Sequence, residues 1–405
     1  MSQETLDREA DEPIDETGPV LISEITPRNF LSFGPDTAPI ELRSLNVLIG
    51  ANGSGKSNLI EAIAFLRTAP TGFQRVTGAG GGVTKWVWKG AIGLDASVEA
   101  SINVGDNEFQ MKHYVGFRSD NFVFQLTNEH IEDVTGLDAE SRRRVFVDDD
   151  DGPIIINGED VTGEINSRGF DPNASVLALF RDAQRFPQLL DLTEQYMKIG
   201  IYRDWRFGRD NVLRFLQNSD ASQIKLEEDY SNIGVFLNYV SSNGASKEIF
   251  RERLADIYRG ADDLEVVITE EGALVSMTEG DYGVSAMRLS DGTLRYLALI
   301  AILCDPHPPP LICIEEPELG LHPDLIHILA DMLKEASQRT QLIVTTHSDT
   351  LVSAFTNDPE AVLICEKWEG QTELTRLEKE EMAVWLKDYS LGSMWRSGQL
   401  GGTRW

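Results

Sequence analysis

The 405-residue chain has only three cysteines, Cys304, Cys313 and Cys365. All three lie in apolar runs without metal-ligand spacing, which points to buried thiols in a reducing compartment and away from a disulfide framework or a zinc site. No stretch approaches the roughly 18 uninterrupted apolar residues of a membrane span. Near the N-terminus, acidic residues stand where a secretory leader carries basic and then apolar ones. A soluble, cytoplasmic protein with no membrane partner is therefore expected. Basic residues are also scarce: 36 Lys and Arg face 66 Asp and Glu, a net charge of -30. Such a field repels nucleic acid at long range, so DNA contact would need a local basic patch or a partner protein. Internal repeats are absent, and no heptad pattern persists over several turns, which excludes a solenoid or a long coiled-coil arm.

The composition that remains is that of a globular molecule. Its hydrophobic content of 41% and its length suit two or three lobes with a sizeable core. Residues 1–20 hold seven acidic side chains against Arg8 and read as a flexible acidic tail. The acidic run Asp148 to Asp151 precedes Gly152-Pro153 and an apolar Ile154-Ile155-Ile156, the pattern of a solvated hairpin turn.

One string names a ligand. Gly50-Ala51-Asn52-Gly53-Ser54-Gly55-Lys56-Ser57 fits the pattern G-x-x-x-x-G-K-[S/T], whose backbone N–H groups wrap the phosphates of a nucleoside triphosphate. The apolar run Leu45 to Ile49 before it reads as a buried strand, and Leu59, Ile63 and Leu66 after it are spaced as on a helix. The glycines permit close approach, Lys56 reaches the β- and γ-phosphates, and the Ser57 hydroxyl is suited to Mg²⁺. Gly50, Asn52, Gly53, Ser54, Gly55, Lys56, Ser57 and Asn58 are the expected ATP-binding positions, with the helix dipole beneath the anion.

Strands are expected over Val20 to Phe33 and Ile40 to Ile49. Alternating segments after the first helix, among them Lys85 to Lys89, Val98 to Val104 and Phe122 to Leu126, suggest an antiparallel lobe. From about Ser175 to Asn218 the pattern turns mostly helical. Lys247 to Arg259 predicts a helix, and Val266 to Met277 a hairpin turning at Glu270-Glu271-Gly272. Continuous apolar runs at Leu311 to Ile314, Leu342 to Val344 and Val362 to Ile364 predict strands buried on both faces. The expected division is an N-terminal lobe over 21–175, an inserted helical lobe over 176–280 and a C-terminal lobe over 281–405.

Glu315 and Glu316 follow the strand 311–314 directly, at the carboxyl end where α/β sheets place ligand-binding groups. Glu315 is placed to hold Mg²⁺ and Glu316 to act as base on the attacking water. The string Ile314-Glu315-Glu316-Pro317-Glu318-Leu319-Gly320-Leu321-His322-Pro323 resembles the Walker B and D-loop of ABC-type ATPases in the RecF/SMC-like group. Thr345-Thr346-His347-Ser348 is similar to that group's switch histidine. Leu289-Ser290-Asp291-Gly292-Thr293 resembles the ABC signature, with Asp291 and Thr293 in place of the usual glycine and glutamine. The strings around 201–209 and 391–405 are similar to those of an OLD-like, stand-alone AAA-family ATPase of bacteria.

The resemblance implies an α/β, P-loop ABC-type head with a mixed or parallel sheet, an antiparallel β lobe and an inserted lobe without long coiled coil. It also implies an ATP-dependent homodimer or higher oligomer that sandwiches Mg-ATP. Ser290 and Gly292 would meet the γ-phosphate bound by the other copy, and His347 would sense it. Three roles stay open. Phe30 suits either the adenine or the core, His322 either a dimer contact or a helix cap, and Gln184 is a candidate for the glutamine that couples the metal to the inserted lobe. Within Tyr202 to Phe215, four arginines alternate with aromatics. They suit a nucleic-acid path or a structural corner in which Arg groups stack on aromatics and pair with Asp204 and Asp210. Arg142 to Arg144 is a second small basic patch. Since 58 residues follow His347 (405 minus 347), a built-in nuclease domain is not expected, and a separate effector such as a nuclease, in an antiviral-defence role, is. A RecF-like DNA-repair ATPase and an ATP-binding scaffold with little turnover are the alternatives.

Overall fold

The computed structural model describes residues 18–90, 95–105, 109–135, 143–148, 154–157, 160–164, 171, 173–179, 187–205, 208–257, 263–280 and 282–402. The acidic tail lies outside them up to residue 17, as do Arg142, Gln184, Arg206 and the expected turn at 149–153.

The first half contains β1 (Ile22–Arg28), β2 (Ile40–Glu41), β3 (Leu45–Ile49), α1 (Lys56–Arg67), α2 (Gln74–Ala79), β4 (Ala96–Val104), β5 (Phe109–Asp120), β6 (Val123–Asp133), β7 (Arg143–Asp148), β8 (Ile154–Asn157), β9 (Asp160–Glu164), α3 (Val176–Leu179), α4 (Pro187–Lys198) and β10 (Gly200–Tyr202). The second half contains α5 (Ile233–Ser242), α6 (Gly244–Ile257), β11 (Asp263–Thr269), β12 (Gly272–Glu279), β13 (Tyr282–Ser285), α7 (Asp291–Leu303), β14 (Leu311–Glu315), α8 (Leu325–Ser337), β15 (Gln341–Thr345), α9 (Asp349–Ser353), β16 (Val362–Trp368), β17 (Gln371–Arg376), α10 (Lys379–Met382) and α11 (Leu391–Arg396).

Three sheets form. The central one has the order β10-β14-β15-β3-β16-β17, parallel except for the β16–β17 hairpin at one edge. Its strands alternate between two cores. Leu45, Val47, Ile312, Ile314, Leu342 and Val344 face one with α7 and α8, while Leu48, Leu311, Cys313 and Ile343 face the other with α1. Burial on both faces is why these segments read as continuous apolar runs. The second sheet, antiparallel, runs β2-β1-β4-β5-β6-β7-β8-β9, and β11-β12-β13 make a third.

Several expectations change. The strand expected over Val20 to Phe33 ends at Arg28, because Asn29 and Leu31 take positive φ (50° and 52°). That turn drives Phe30 and Phe33 into the core. Lys85 to Lys89 is no strand: Val83–Lys85 is a 3₁₀ turn that buries Trp86. Within the expected inserted helical lobe, Gly200–Tyr202 pairs with β14 and so belongs to the central sheet, and residues 208–218 hold short 3₁₀ turns in place of helix. Among the described residues the longest helix has 14 residues, and none is long and apolar enough to cross a membrane.

Candidate active site

Because β3, β14, β15 and β10 run parallel, their carboxyl ends gather at one edge of the sheet, where a ligand meets the loops that follow them. The loop after β3 is shaped by contacts that exclude a side chain at two positions. A Cβ on Gly50 (φ 151°) would lie 2.2 Å from the Cys365 carbonyl oxygen, and one on Gly55 (φ 111°) 2.1 Å from Thr372 Oγ1. Gly55 caps α1 with no side-chain bond, so the first N–H groups of the helix are left for an anion.

Lys56 is almost wholly buried, and its Nζ donates to the carbonyls of Gly50 (2.8 Å) and Ala51 (3.1 Å). Burial lowers its pKa, against the opposing pull of Cys365 and of Glu316, Glu315 and Glu318. The Ser57 hydroxyl donates to Glu315 Oε2 at 3.0 Å, joining the phosphate loop to the end of β14. Burial raises the Glu315 carboxyl, while the Ser57 bond and the Arg203 cation oppose the rise.

The loop is braced by Ser32 and Thr372, which no sequence pattern marks, together with Asn58 and Cys365. Thr372 Oγ1 donates to Ser54 O at 2.7 Å, Ser32 and Thr372 hydroxyls lie 2.6 Å apart, and Asn58 Nδ2 donates to Ser32 Oγ at 2.5 Å. The Cys365 thiol also points at Ser54 O, 3.4 Å away.

Next to Glu315, Glu316 sits in left-handed backbone, φ 46°. Its N–H donates to Thr345 O at 3.0 Å, and its Oε1 lies 3.7 Å from His347 Nε2. Glu318 supports the histidine from below. Its Oε1 accepts from Thr346 Oγ1 (2.7 Å) and from the His347 N–H (2.9 Å), and burial raises its pKa.

A second layer couples this strand end to the rest of the chain. Arg295, on α7 and 3% exposed, donates to Glu316 O and, at 3.2 Å, to Pro317 O. Its guanidinium lies 4.0 Å from the centroid of the Trp205 ring, Trp205 Nε1 donates to Glu315 O at 2.8 Å, and the Tyr230 ring stacks on Trp205 with centroids 5.4 Å apart. Burial pushes Arg295 down to about 10. Trp205 belongs to the basic and aromatic stretch, but Arg295 lies outside the four motifs, and only the three-dimensional arrangement reveals that the two stack.

Thus Lys56, Ser57, Glu315, Glu316 and His347 come together. Ser290 and Gly292 lie at the start of α7: exposed Ser290 caps the helix by accepting from Thr293 N at 3.1 Å, and a Cβ on Gly292 would lie 2.9 Å from Gly320 O. Asn52 and Gly53 are exposed on the loop. His322 is an exposed helix-entry residue whose Nδ1 accepts from Asp324 N at 3.3 Å. Phe30 is fully buried against Phe65, Trp86 and Phe117, a core aromatic. In the basic and aromatic stretch, Arg203 pairs with Glu61 and Arg214 with Asp291, in place of the expected partners Asp204 and Asp210. Arg143 and Arg144 lie in β7.

Ser57 and Glu315 offer hard oxygen donors side by side, the set Mg²⁺ prefers when phosphate oxygens and water complete its shell. Among the described residues no three His, Cys, Asp or Glu side chains are grouped to hold a metal alone. The residues therefore fit a metal that arrives with a phosphate ligand.

The family described as "AAA domain, putative AbiEii toxin, Type IV TA system" matches residues 45–353, a span that contains all four motifs. A search of curated proteins gave no match. In three dimensions the chain is similar to an Smc head bound to the C-winged helix domain of ScpA, at 16% identity and TM-score 0.56 over 89% of this chain and 99% of that one. It is similar also to an Smc head with an extended coiled coil bound to the C-terminal domain of ScpA, from Pyrococcus furiosus, at 14% identity and TM-score 0.55 over 91% and 99%. A third is an Smc head with a coiled coil and joint from Pyrococcus yayanosii, at 12% identity and TM-score 0.50 over 91% and 99%. The fold is thus that of an SMC-like ATPase head.

Proposed function

Since the chain belongs to this AAA-domain family and is an ABC-type, SMC/RecF-like member by fold, we propose that it binds Mg-ATP and hydrolyses it between two copies of itself. The observation that carries the reading is the meeting of Ser57, Glu315, Glu316 and His347 at one edge of the sheet.

In this reading Gly50, Asn52, Gly53, Ser54, Gly55, Lys56, Ser57 and Asn58 enclose the phosphates, and Ser57 and Glu315 hold Mg²⁺. Bound there, the metal neutralises charge on the phosphate oxygens. Glu316 accepts the proton of the attacking water. His347, against Glu316 Oε1, orients that carboxylate and donates toward the γ-phosphate. The Lys56 ammonium leaves the Gly50 and Ala51 carbonyls for the phosphate oxygens, a better partner for a buried cation.

Ser290 and Gly292 complete the site of the second copy. The exposure of Ser290 at the N-cap of α7 favours this role. Hydrolysis then removes the group that joins the two copies, so nucleotide state sets association. A separate effector protein reads that association. The ScpA domains bound to the similar Smc heads and the toxin–antitoxin description of the family support a partner of this kind. DNA as the main ligand is disfavoured, because Arg214 is committed to Asp291 and to the Gly208 and Met287 carbonyls in a chain of net charge -30.

Glu316→Gln is the direct test. Lost hydrolysis together with a stable ATP-bound dimer is expected, and hydrolysis at the wild-type rate would refute the assignment of the base.

A further inference from the structure

β10 is three residues long, yet its register places Tyr202 beside Ile314, so the next residue, Arg203, emerges beside Glu315. On the opposite side stands Glu61, one helical turn beyond Ser57 on the same face of α1. Arg203 is half-buried, with its side chain 34% exposed, and its Nη1 donates to Glu61 Oε1. Its remaining guanidinium N–H groups take no protein acceptor among the described residues. The other Glu61 oxygen, Oε2, is buried without a hydrogen-bond partner.

The electrostatics of this corner are unbalanced. Glu61, Glu315 and Glu316 crowd it, and the cations acting on Glu315 are Lys56 and Arg203. Lys56 comes from the phosphate loop itself. Arg203 comes from the segment inserted between the phosphate loop and β14, and two residues later Trp205 bonds Glu315 O and stacks under Arg295 of α7. A guanidinium held by one acceptor, with its other edge free, is suited to bidentate contact with a phosphoryl group.

Resting on the ATP-site reading above, we propose that Arg203 binds the γ-phosphate and is the residue through which the inserted segment distinguishes ATP from ADP. Glu61 parks and orients the guanidinium, whose free N–H groups donate to γ-phosphate oxygens. Because Trp205 follows on the same short segment, engagement of Arg203 pulls on the contact between β14 and α7 and so links nucleotide identity to the signature helix.

The test is calorimetric titration with the non-hydrolysable analogue AMP-PNP and with ADP, each with Mg²⁺. Arg203→Ala is expected to weaken AMP-PNP by about tenfold or more, as for loss of a charge-assisted hydrogen bond, and to leave ADP within about twofold. Arg203→Gln gives the same readout should the alanine variant fail to fold. Glu61→Gln keeps the guanidinium and is expected to keep the preference for AMP-PNP. An unchanged ratio in Arg203→Ala, equal weakening of both nucleotides, or a Glu61→Gln variant that reproduces the loss would overturn the role of Arg203 alone. Wild-type protein that binds neither nucleotide would overturn the ATP-site reading as well.

Discussion

Arg295→Met removes a buried cation that joins α7 to the two residues after Glu315, and its cost can be worked from the contacts. Two charged hydrogen bonds, to Glu316 O and Pro317 O, are worth about 1.5–3 kcal/mol each. Stacking on Trp205 at 4.0 Å adds about 1–2 kcal/mol. Against this, burial has pushed the guanidinium down to about 10, a desolvation cost on the order of 3 kcal/mol that methionine avoids. The net loss expected is about 2–3 kcal/mol, read from the urea midpoint. Turnover should fall further than stability explains. Without Arg295 on its carbonyl, Glu316 can relax from φ 46°, a conformation that costs on the order of 1 kcal/mol or more in a non-glycine residue, and its carboxylate then leaves His347. A kcat lowered about tenfold or more, with ATP affinity nearly kept, would match a group misplaced by about an ångström. A variant of wild-type stability and full turnover would refute the reasoning.

Thr372→Val keeps the shape of β17 but removes the hydroxyl that donates to Ser54 O. Loss of about 1 kcal/mol of loop anchoring should weaken nucleotide binding several-fold in a fluorescence titration, with the melting temperature little changed. Asp305 is buried and its pKa is raised by that burial, although its carboxylate accepts from the His307 N–H at 2.9 Å. A raised folded pKa means stability that is present at low pH and lost as pH rises through that value. Asp305→Asn should therefore raise the urea midpoint at pH 7, and the gain should fade as pH falls toward the unfolded carboxyl value of about 3.9. A gain that grew on acidification would contradict the sign.

The core strands and the chemistry at their ends were legible because each motif is contiguous. A strand buried on both faces is a continuous apolar run, and Glu315, Glu316 and His347 follow such runs directly. The short β10 was not legible, since the three residues Gly200–Tyr202 carry no period and their pairing with Ile312 to Ile314 is a tertiary fact. Phe30 read as the continuation of a strand because an apolar residue looks the same whether it extends a strand or fills a core through a left-handed turn. The bracing of the phosphate loop by Thr372 spans 318 positions, beyond any local pattern. Charge interleaved with aromatics from Tyr202 to Phe215 gave two readings, and the ion pair of Arg203 with Glu61 and that of Arg214 with Asp291 favour the structural one.

The central claim is that one copy's phosphate loop and another copy's Ser290 share an ATP whose hydrolysis depends on Glu316. Light scattering on the Glu316→Gln variant, with and without Mg-ATP, measures it most directly. A shift from about one chain mass, 45.1 kDa, to twice that on adding Mg-ATP, abolished by a further Ser290→Arg change, is predicted. A mass that ignores ATP, or a dimer that survives Ser290→Arg, would contradict it.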